Sequence, residues 1–279
     1  MKSTQAQKYA LFKELHEGQE AFVIPNPWDA GSTRILSGLG FQALATTSAG
    51  FAFSIGYRDS FSALSRDQVL DNAKSIVDAT DLPVTADLED GFGTSPEDCS
   101  NTILAANKIG LVGGSIEDAT GDESNPIYEL EHAVTRISAA VEASRGLPFL
   151  LTARAENFLW GKPDFNDTLT RIQAYAAAGA DVVYAPGLPD LKSIKILCDE
   201  VNKPVNVVMG LDGLSCTVQQ LSEIGVKRIS VGGSFARAAL GELVRAAIEV
   251  RDEGTFLYSS KALPDADAAA YMSQSKIII

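Results

Sequence analysis

Short apolar runs rich in β-branched residues recur along the chain, and most of the stretches between them carry helical periodicity. The runs cover residues 22–25, 43–47, 84–88, 114–117, 149–154, 182–185, 205–209 and 229–232. Each is about four to six residues long, which suits strands buried on both faces. The stretches between them start and stop with helix signals. Asn26-Pro27 precedes a helix that stops before Gly40. Ser65-Arg66-Asp67-Gln68 has the form of a capping box for a helix over 69–79. Ser95-Pro96-Glu97 opens a helix that runs to Ile109 and stops at Gly110. Further helices are predicted over 167–178, 190–201, 217–224 and 235–251, and one over 5–17 precedes the first strand. Gly40, Gly110, Gly179 and Gly225 recur in one phrase: helix, glycine, one or two residues, strand.

Eight strand–helix units in a row most simply close into an α/β fold of the (β/α)₈ TIM-barrel type. A doubly wound open sheet is the alternative, and it differs only in strand order. Both place functional residues at the carboxyl ends of the strands. The chain of 279 residues suits one barrel domain over 1–279, with an N-terminal helix within 1–20 and a C-terminal tail over 255–279. That tail is rich in Ala and Asp and ends in three isoleucines, which leaves it to fray or to pack on a neighbouring subunit.

The formal charge of −13 argues against nucleic acid and anionic membrane as partners, since no basic face is available for phosphates. Cys99, Cys198 and Cys216 are widely spaced and odd in number, which fits a reducing compartment. The N-terminus lacks the apolar core of a signal peptide. A cytoplasmic protein is expected.

The candidate chemistry lies where two of these strands end. Val84-Thr85-Ala86-Asp87-Leu88-Glu89-Asp90-Gly91-Phe92-Gly93 and Ile116-Glu117-Asp118 both run from apolar residues straight into carboxylates. Asp87 and Glu89 point the same way if the strand stays extended, and Glu117 ends the next strand. Together they form an oxygen-rich set suited to one hard divalent cation such as Mg²⁺. The competing reading has them capping helices or pairing with arginine. Arg154, at the end of the fifth strand, suits a two-pronged grip on a substrate carboxylate or phosphonate, or an internal ion pair with Glu117, Asp118 or Glu156. Thr46-Thr47-Ser48-Ala49-Gly50 ends the second strand in a turn that can present N–H groups to an anion. Asp59 either reaches back to the site or caps a turn. Asn206 lies inside the seventh strand and needs a partner. His16 and His132 fall in predicted helices, and no lysine ends a strand, which speaks against a histidine base or a Schiff base.

From Val23 to about Glu249 the chain resembles the isocitrate lyase/phosphoenolpyruvate mutase superfamily. The most specific pieces are Thr47-Ser48-Ala49-Gly50, Asp87 through Gly93, Ile116-Glu117-Asp118 and Ala153-Arg154. The resemblance implies a (β/α)₈ barrel whose last helix is swapped between subunits of a homodimer or homotetramer. It implies Mg²⁺ or Mn²⁺ and a small 2-oxo acid or phosphonate. By position, Asp87 is the direct metal ligand, with Glu89 and Glu117 acting through water. Ser48, Ala49 and Gly50 cradle the substrate carboxylate, Asp59 assists near the metal, Arg154 holds the anionic end, and Asn206 lines the substrate site. Asn125 stands for a polar residue of the gating loop.

Three departures from the pattern stand out. Glu89 replaces the usual Asp, and Thr46 lies where many members carry an aromatic residue. The loop after Glu117 reads Asp118-Ala119-Thr120-Gly121-Asp122-Glu123-Ser124-Asn125-Pro126, without the Lys, Cys and His of the isocitrate-cleaving members. Cleavage of a carbon–carbon bond through an enolate is expected, by a route other than theirs. Carbon–phosphorus chemistry and a non-catalytic oxo-acid binder are the alternatives.

Overall fold

The computed structural model describes residues 3–60, 63–211 and 214–273. Eight strands form one parallel sheet: β1 (Phe22–Ile24), β2 (Leu44–Ala45), β3 (Val84–Asp87), β4 (Gly113–Glu117), β5 (Leu150–Arg154), β6 (Val182–Tyr184), β7 (Val205–Val208) and β8 (Arg228–Ser230). Neighbours run β1-β8-β7-β6-β5-β4-β3-β2 with no reversal of order, which rules out the doubly wound alternative. The seam between β1 and β2 is bridged by the Ala45 N–H, which donates to the Pro25 carbonyl at 3.0 Å. Asn26 reinforces it. Its amide donates to the Thr46 carbonyl at 2.8 Å, and its oxygen accepts from the N–H groups of Val231 and Gly232 at 2.9 Å each. The result is a (β/α)₈ barrel.

The helices are α1 (Gln5–Glu17), α2 (Ala30–Gly38), α3 (Ser48–Ser54), α4 (Arg66–Asp78), α5 (Pro96–Lys108), α6 (Leu130–Ser144), α7 (Phe165–Ala178), α8 (Leu191–Glu200), α9 (Val218–Glu223), α10 (Ser234–Ile248) and α11 (Asp265–Met272). Ser65 and Gln68 form the expected capping box. Ser95 and Asp98 form another, ahead of Pro96 in the first turn of α5.

Strand alternation divides the core. Val84, Ala86, Leu151, Ala153, Val183, Val205, Val207 and Ile229 belong to the large apolar layer beneath the helices. Thr85, Asp87, Ser115, Arg154, Tyr184, Asn206, Arg228 and Ser230 line a polar bore of about 70 Å³. At the opposite end α1 plugs the barrel. Fully buried Phe12 packs with Phe22, Ile24, Ala43, Ala45, Val112 and Leu150, and His16 stands edge-on to both phenyl rings. With apolar filling confined to that end, ligand chemistry is left to the carboxyl ends of the strands.

The C-terminal tail differs from expectation. It turns through a 3₁₀ segment (Leu257–Lys261), and α11 then docks on α2 of its own chain. Buried Tyr271 lies so close to Gly38 that a β-carbon there would sit 2.8 Å from the ring. The three terminal isoleucines lie outside the described residues. α10, by contrast, buries only Ala236 and leaves Leu240, Leu243, Val244 and Ile248 exposed.

Candidate active site

The acidic residues gather at the barrel mouth, but not by simple strand alternation. β3 ends at Asp87, and Glu89 is left-handed with φ +49°. A side chain longer than Gly or Asn is strained there. The turn is held locally. The Glu89 N–H points at Asp87 Oδ1 (3.4 Å), Gly91 N–H donates to the Leu88 carbonyl (2.9 Å), and Phe92 N–H donates to Asp90 Oδ1 (2.9 Å). The Glu89 carbonyl accepts from the Glu117 N–H at 2.9 Å, which fastens the turn to the next strand. Buried Arg136 on α6 donates to the Gly93 and Asp90 carbonyls from behind. Glu89 thus reaches the mouth by a strained turn, where the sequence reading expects an extended strand.

Asp59, Glu89, Glu117, Arg154 and Glu156 line a cavity of about 240 Å³ with Ser48, Ser60, Leu159 and Trp160. Asp87 lies alongside. Arg154 stands among these acids, with Nη1 at 3.2 Å from Glu117 and 3.7 Å from Asp87. Its Nε donates to Glu156, and its guanidinium lies over the Tyr184 ring at 5.1 Å. Arg154 forms the internal ion pair that one sequence reading has, and it also lines the cavity. Its partners are Glu117, Glu156 and Asp87. Asp118 is engaged elsewhere, by Arg171 Nη1 (3.1 Å), the Tyr175 hydroxyl (2.6 Å) and the Glu156 N–H (2.8 Å).

One guanidinium leaves this cluster with an excess of negative charge. Burial, then repulsion from Asp87 and Asp90, pushes the Glu89 carboxyl up to about 8. Burial lifts Glu117 well above the usual carboxylate range against the pull of Arg154, and Glu156 rises for the same reason. Asp59 sits on the loop after α3 with its outer side in solvent. Partial desolvation and then the charge of Asp87 raise it. Among the described residues, no three acidic, histidine or cysteine side chains form a ready-made metal cage. Asp87 at the bore and Glu89 and Glu117 in the adjoining cavity each offer one carboxylate at the mouth. That fits an ion such as Mg²⁺, which keeps most of its waters and takes one or two protein oxygens.

The remaining expected residues divide. Ser48 joins the cluster: its hydroxyl donates to Asp87 Oδ2 at 3.0 Å. Ser48, Ala49 and Gly50 form the first turn of α3, where the sequence reading has a bare turn, and Thr47 caps it by accepting from the Gly50 N–H at 3.2 Å. Asn206 is buried in the bore with both ends engaged. It donates to the Ser230 hydroxyl (3.1 Å) and accepts from Arg228 Nε (2.8 Å). Asn125 does not reach the cluster. It is exposed on a tongue closed by Thr120 N–H to the Pro126 carbonyl (2.9 Å), and its own N–H donates to Asp122 (3.0 Å). Several residues of the mouth, Glu156 and Tyr184 among them, were not expected site residues. Glu156 follows Arg154 by two, a spacing that signals a shared side only once the strand end is known. Tyr184 ends β6 in a run that reads as plain core.

A family model described as phosphoenolpyruvate phosphomutase matches residues 12–251. A solved protein of Burkholderia cenocepacia J2315, named only provisionally as a lyase/mutase, is 50% identical with a TM-score of 0.95, covering 98% of this chain and 99% of that one. The 2-methylisocitrate lyase of Escherichia coli (strain K12) is 30% identical over 173 residues, which is 60% of this chain and 57% of that one. The oxaloacetate decarboxylase of Pseudomonas entomophila (strain L48) is 24% identical over 234 residues, 82% of this chain and 80% of that one.

Proposed function

This chain belongs to the phosphoenolpyruvate phosphomutase family, within the isocitrate lyase/phosphoenolpyruvate mutase superfamily, and on that premise we propose that it is a Mg²⁺-dependent lyase that breaks a carbon–carbon bond of a 2-oxo carboxylate. The observation that carries the reading is the uncompensated acid cluster around Arg154. Carboxylates crowded this closely call for a cation, and oxygen donors select a hard one.

Asp87 would hold the ion directly, with Glu89 and Glu117 binding through its waters; Mn²⁺ would serve in place of Mg²⁺. A bound divalent ion supplies Lewis acidity, drawing electron density from a 2-oxo group. The chain's own residues do the rest. Ser48 orients Asp87 through its hydroxyl. The first turn of α3 faces the substrate carboxylate. Arg154, set by Glu156 and Tyr184, offers its charge to the anionic end. Leu159 and Trp160 give the cavity an apolar side. Asp59, a carboxylate at the rim of the cavity, assists near the metal. Asn125 meets the substrate when its tongue folds over the mouth.

The tongue lacks the Cys, His and Lys of the isocitrate-cleaving members, so we favour decarboxylation or acyl cleavage over methylisocitrate cleavage. The family model itself favours a second reading, transfer or hydrolysis at the carbon–phosphorus bond of phosphonopyruvate. Assays of oxaloacetate, dimethylmalate-type acids and phosphonopyruvate, with and without Mg²⁺, separate the two. Stabilisation by these acids without product would leave a non-catalytic binder, and no metal-dependent response to any of them would sink the proposal.

We further propose a cytoplasmic homodimer or homotetramer in which α10 is covered by a second copy. The uncovered apolar side chains of α10 support this, as do Phe256 and Leu257 at 63% and 72% exposure.

A further inference from the structure

A second cavity adjoins the acidic one, and its chemistry is opposite. It measures about 220 Å³ and is lined by Ala185, Leu188, Ile194, Val207 and Met209, among other side chains that are all apolar. Leu159 forms a wall of both cavities. Both lie at the same height of the barrel. Arg154 pairs in register with Tyr184, and Tyr184 with Asn206, so Ala185 and Val207 stand one residue beyond that row. Gly187, at φ +82°, lets the β6 loop press against the Phe158–Leu159 turn, where a β-carbon would lie 3.0 Å from Phe158 and 3.1 Å from Leu159. Leu159 itself is 49% exposed, an apolar side chain left at the rim between the two spaces.

We propose that this cavity is the specificity subsite of the same reaction: it takes an alkyl group of the substrate while the acidic cavity holds the carboxylate and 2-oxo group. The inference rests on the reading of the acidic mouth as a 2-oxo acid site. Among the described residues, the apolar space offers a second carboxylate no charged or hydroxyl side chain, and the group would lose its hydration there. The substrate class is therefore a 2-oxo acid carrying an aliphatic substituent of a few carbons, rather than one with a second acid group at that end.

The test is a binding series in Mg²⁺: oxalate, pyruvate, 2-oxobutanoate, 2-oxopentanoate and 2-oxohexanoate, followed by calorimetry. Wild-type affinity should rise about fourfold per added methylene until the cavity is full. Leu188→Trp, which fills the cavity, should abolish that gradient. Leu159→Ser, at a half-exposed position that tolerates change, should weaken it. A flat wild-type series with Mg²⁺-dependent oxalate binding intact overturns the subsite and leaves the proposed function standing. A gradient that survives both substitutions overturns the subsite too. Failure of every acid, oxalate included, to bind in a Mg²⁺-dependent way overturns the proposed function and the subsite with it.

Discussion

Glu156 holds Arg154 from behind: its carboxylate accepts from Nε, which turns Nη1 toward Glu117 at 3.2 Å. Glu156 is only 2% exposed, and its N–H is tied to Asp118, so it has little freedom to let go. Glu156→Gln keeps the shape and removes the charge. We expect a ten- to hundredfold rise in KM for the acidic substrate with a smaller change in kcat. Stability should fall by about 1–3 kcal/mol from the weakened buried bond. Glu156→Asp, one methylene shorter, should recover part of the KM. Steady-state kinetics across the pair checks this, and an unchanged KM would remove Glu156 from the positioning role.

On the proposed reading, metal dependence turns on Asp87. It accepts from Ser48 on one side and lies beside Arg154 on the other. Asp87→Asn is nearly isosteric, so the fold should persist while the charge is lost. Expected results are a fall of at least a hundredfold in Mg²⁺ affinity and loss of metal-dependent turnover. Calorimetric titration with Mg²⁺ measures the first directly, apart from any assay of chemistry.

All eight strands were legible because each is a short apolar run between helix signals, and each lies within two residues of its expected bounds. The acid cluster was legible for the same reason, since Asp87 and Glu117 end two of those runs. Glu89 was right in place and wrong in mechanism. Strand alternation cannot foresee a left-handed residue, which is fixed by contacts to Asp87 and Glu117 across the turn. The docking of α11 on α2 escaped sequence reading because it depends on one ring, Tyr271, meeting Gly38 more than 230 positions earlier in the chain. The apolar side cavity escaped because its lining is drawn from β7, α8 and the loops after β5, β6 and β7, whose residues read as ordinary core.

Gly50 sits where α3 meets α10 and the segment that leads into α2. A β-carbon there would lie 2.6 Å from Thr47 Cγ2, 3.0 Å from Trp28 Cβ and 3.3 Å from Ala236 Cβ. Gly50→Ala should therefore cost about 1–3 kcal/mol by overpacking, despite the better helix propensity of alanine. Denaturant unfolding should show the loss in midpoint, and KM should rise because the same turn carries Ser48.

His16 makes the barrel floor sensitive to acid. Its Nδ1 lies 2.7 Å from the Phe12 carbonyl, to which it donates, and its Nε2 faces Arg228 at 3.4 Å. Burial first, and then the charge of Arg228, lowers its pKa to about 3. In the unfolded chain it returns to near 6.5. Between these values the unfolded state binds a proton that the folded state refuses. The stability from neutral His16 is thus complete above pH 6.5 and is lost as pH falls toward 3, at about 1.4 kcal/mol per unit. His16→Gln keeps a polar group but cannot titrate. Its stability at pH 8 should be lower than wild type, and its slope between pH 6 and pH 4 shallower by that amount. Equal slopes would show that another group governs acid unfolding.

The apolar face of α10 ties assembly to the barrel mouth. Leu243 and Val244 are 64% and 54% exposed, while Ala236 near the start of the same helix packs against the Gly50 turn. A helix that buries one residue and exposes five large apolar ones gains little from its own chain and suits a covering surface. Leu243→Glu with Val244→Glu places two charges on that face at a cost to the monomer within about 0.5 kcal/mol, since both sites are surface positions. The double variant should sediment as a monomer, and the wild type is expected to sediment as a dimer or tetramer. Because α10 begins beside the site, turnover should fall with the assembly while Mg²⁺ affinity, set by Asp87, changes little. A wild-type chain that sediments as a monomer at micromolar concentration would show instead that this face meets another partner.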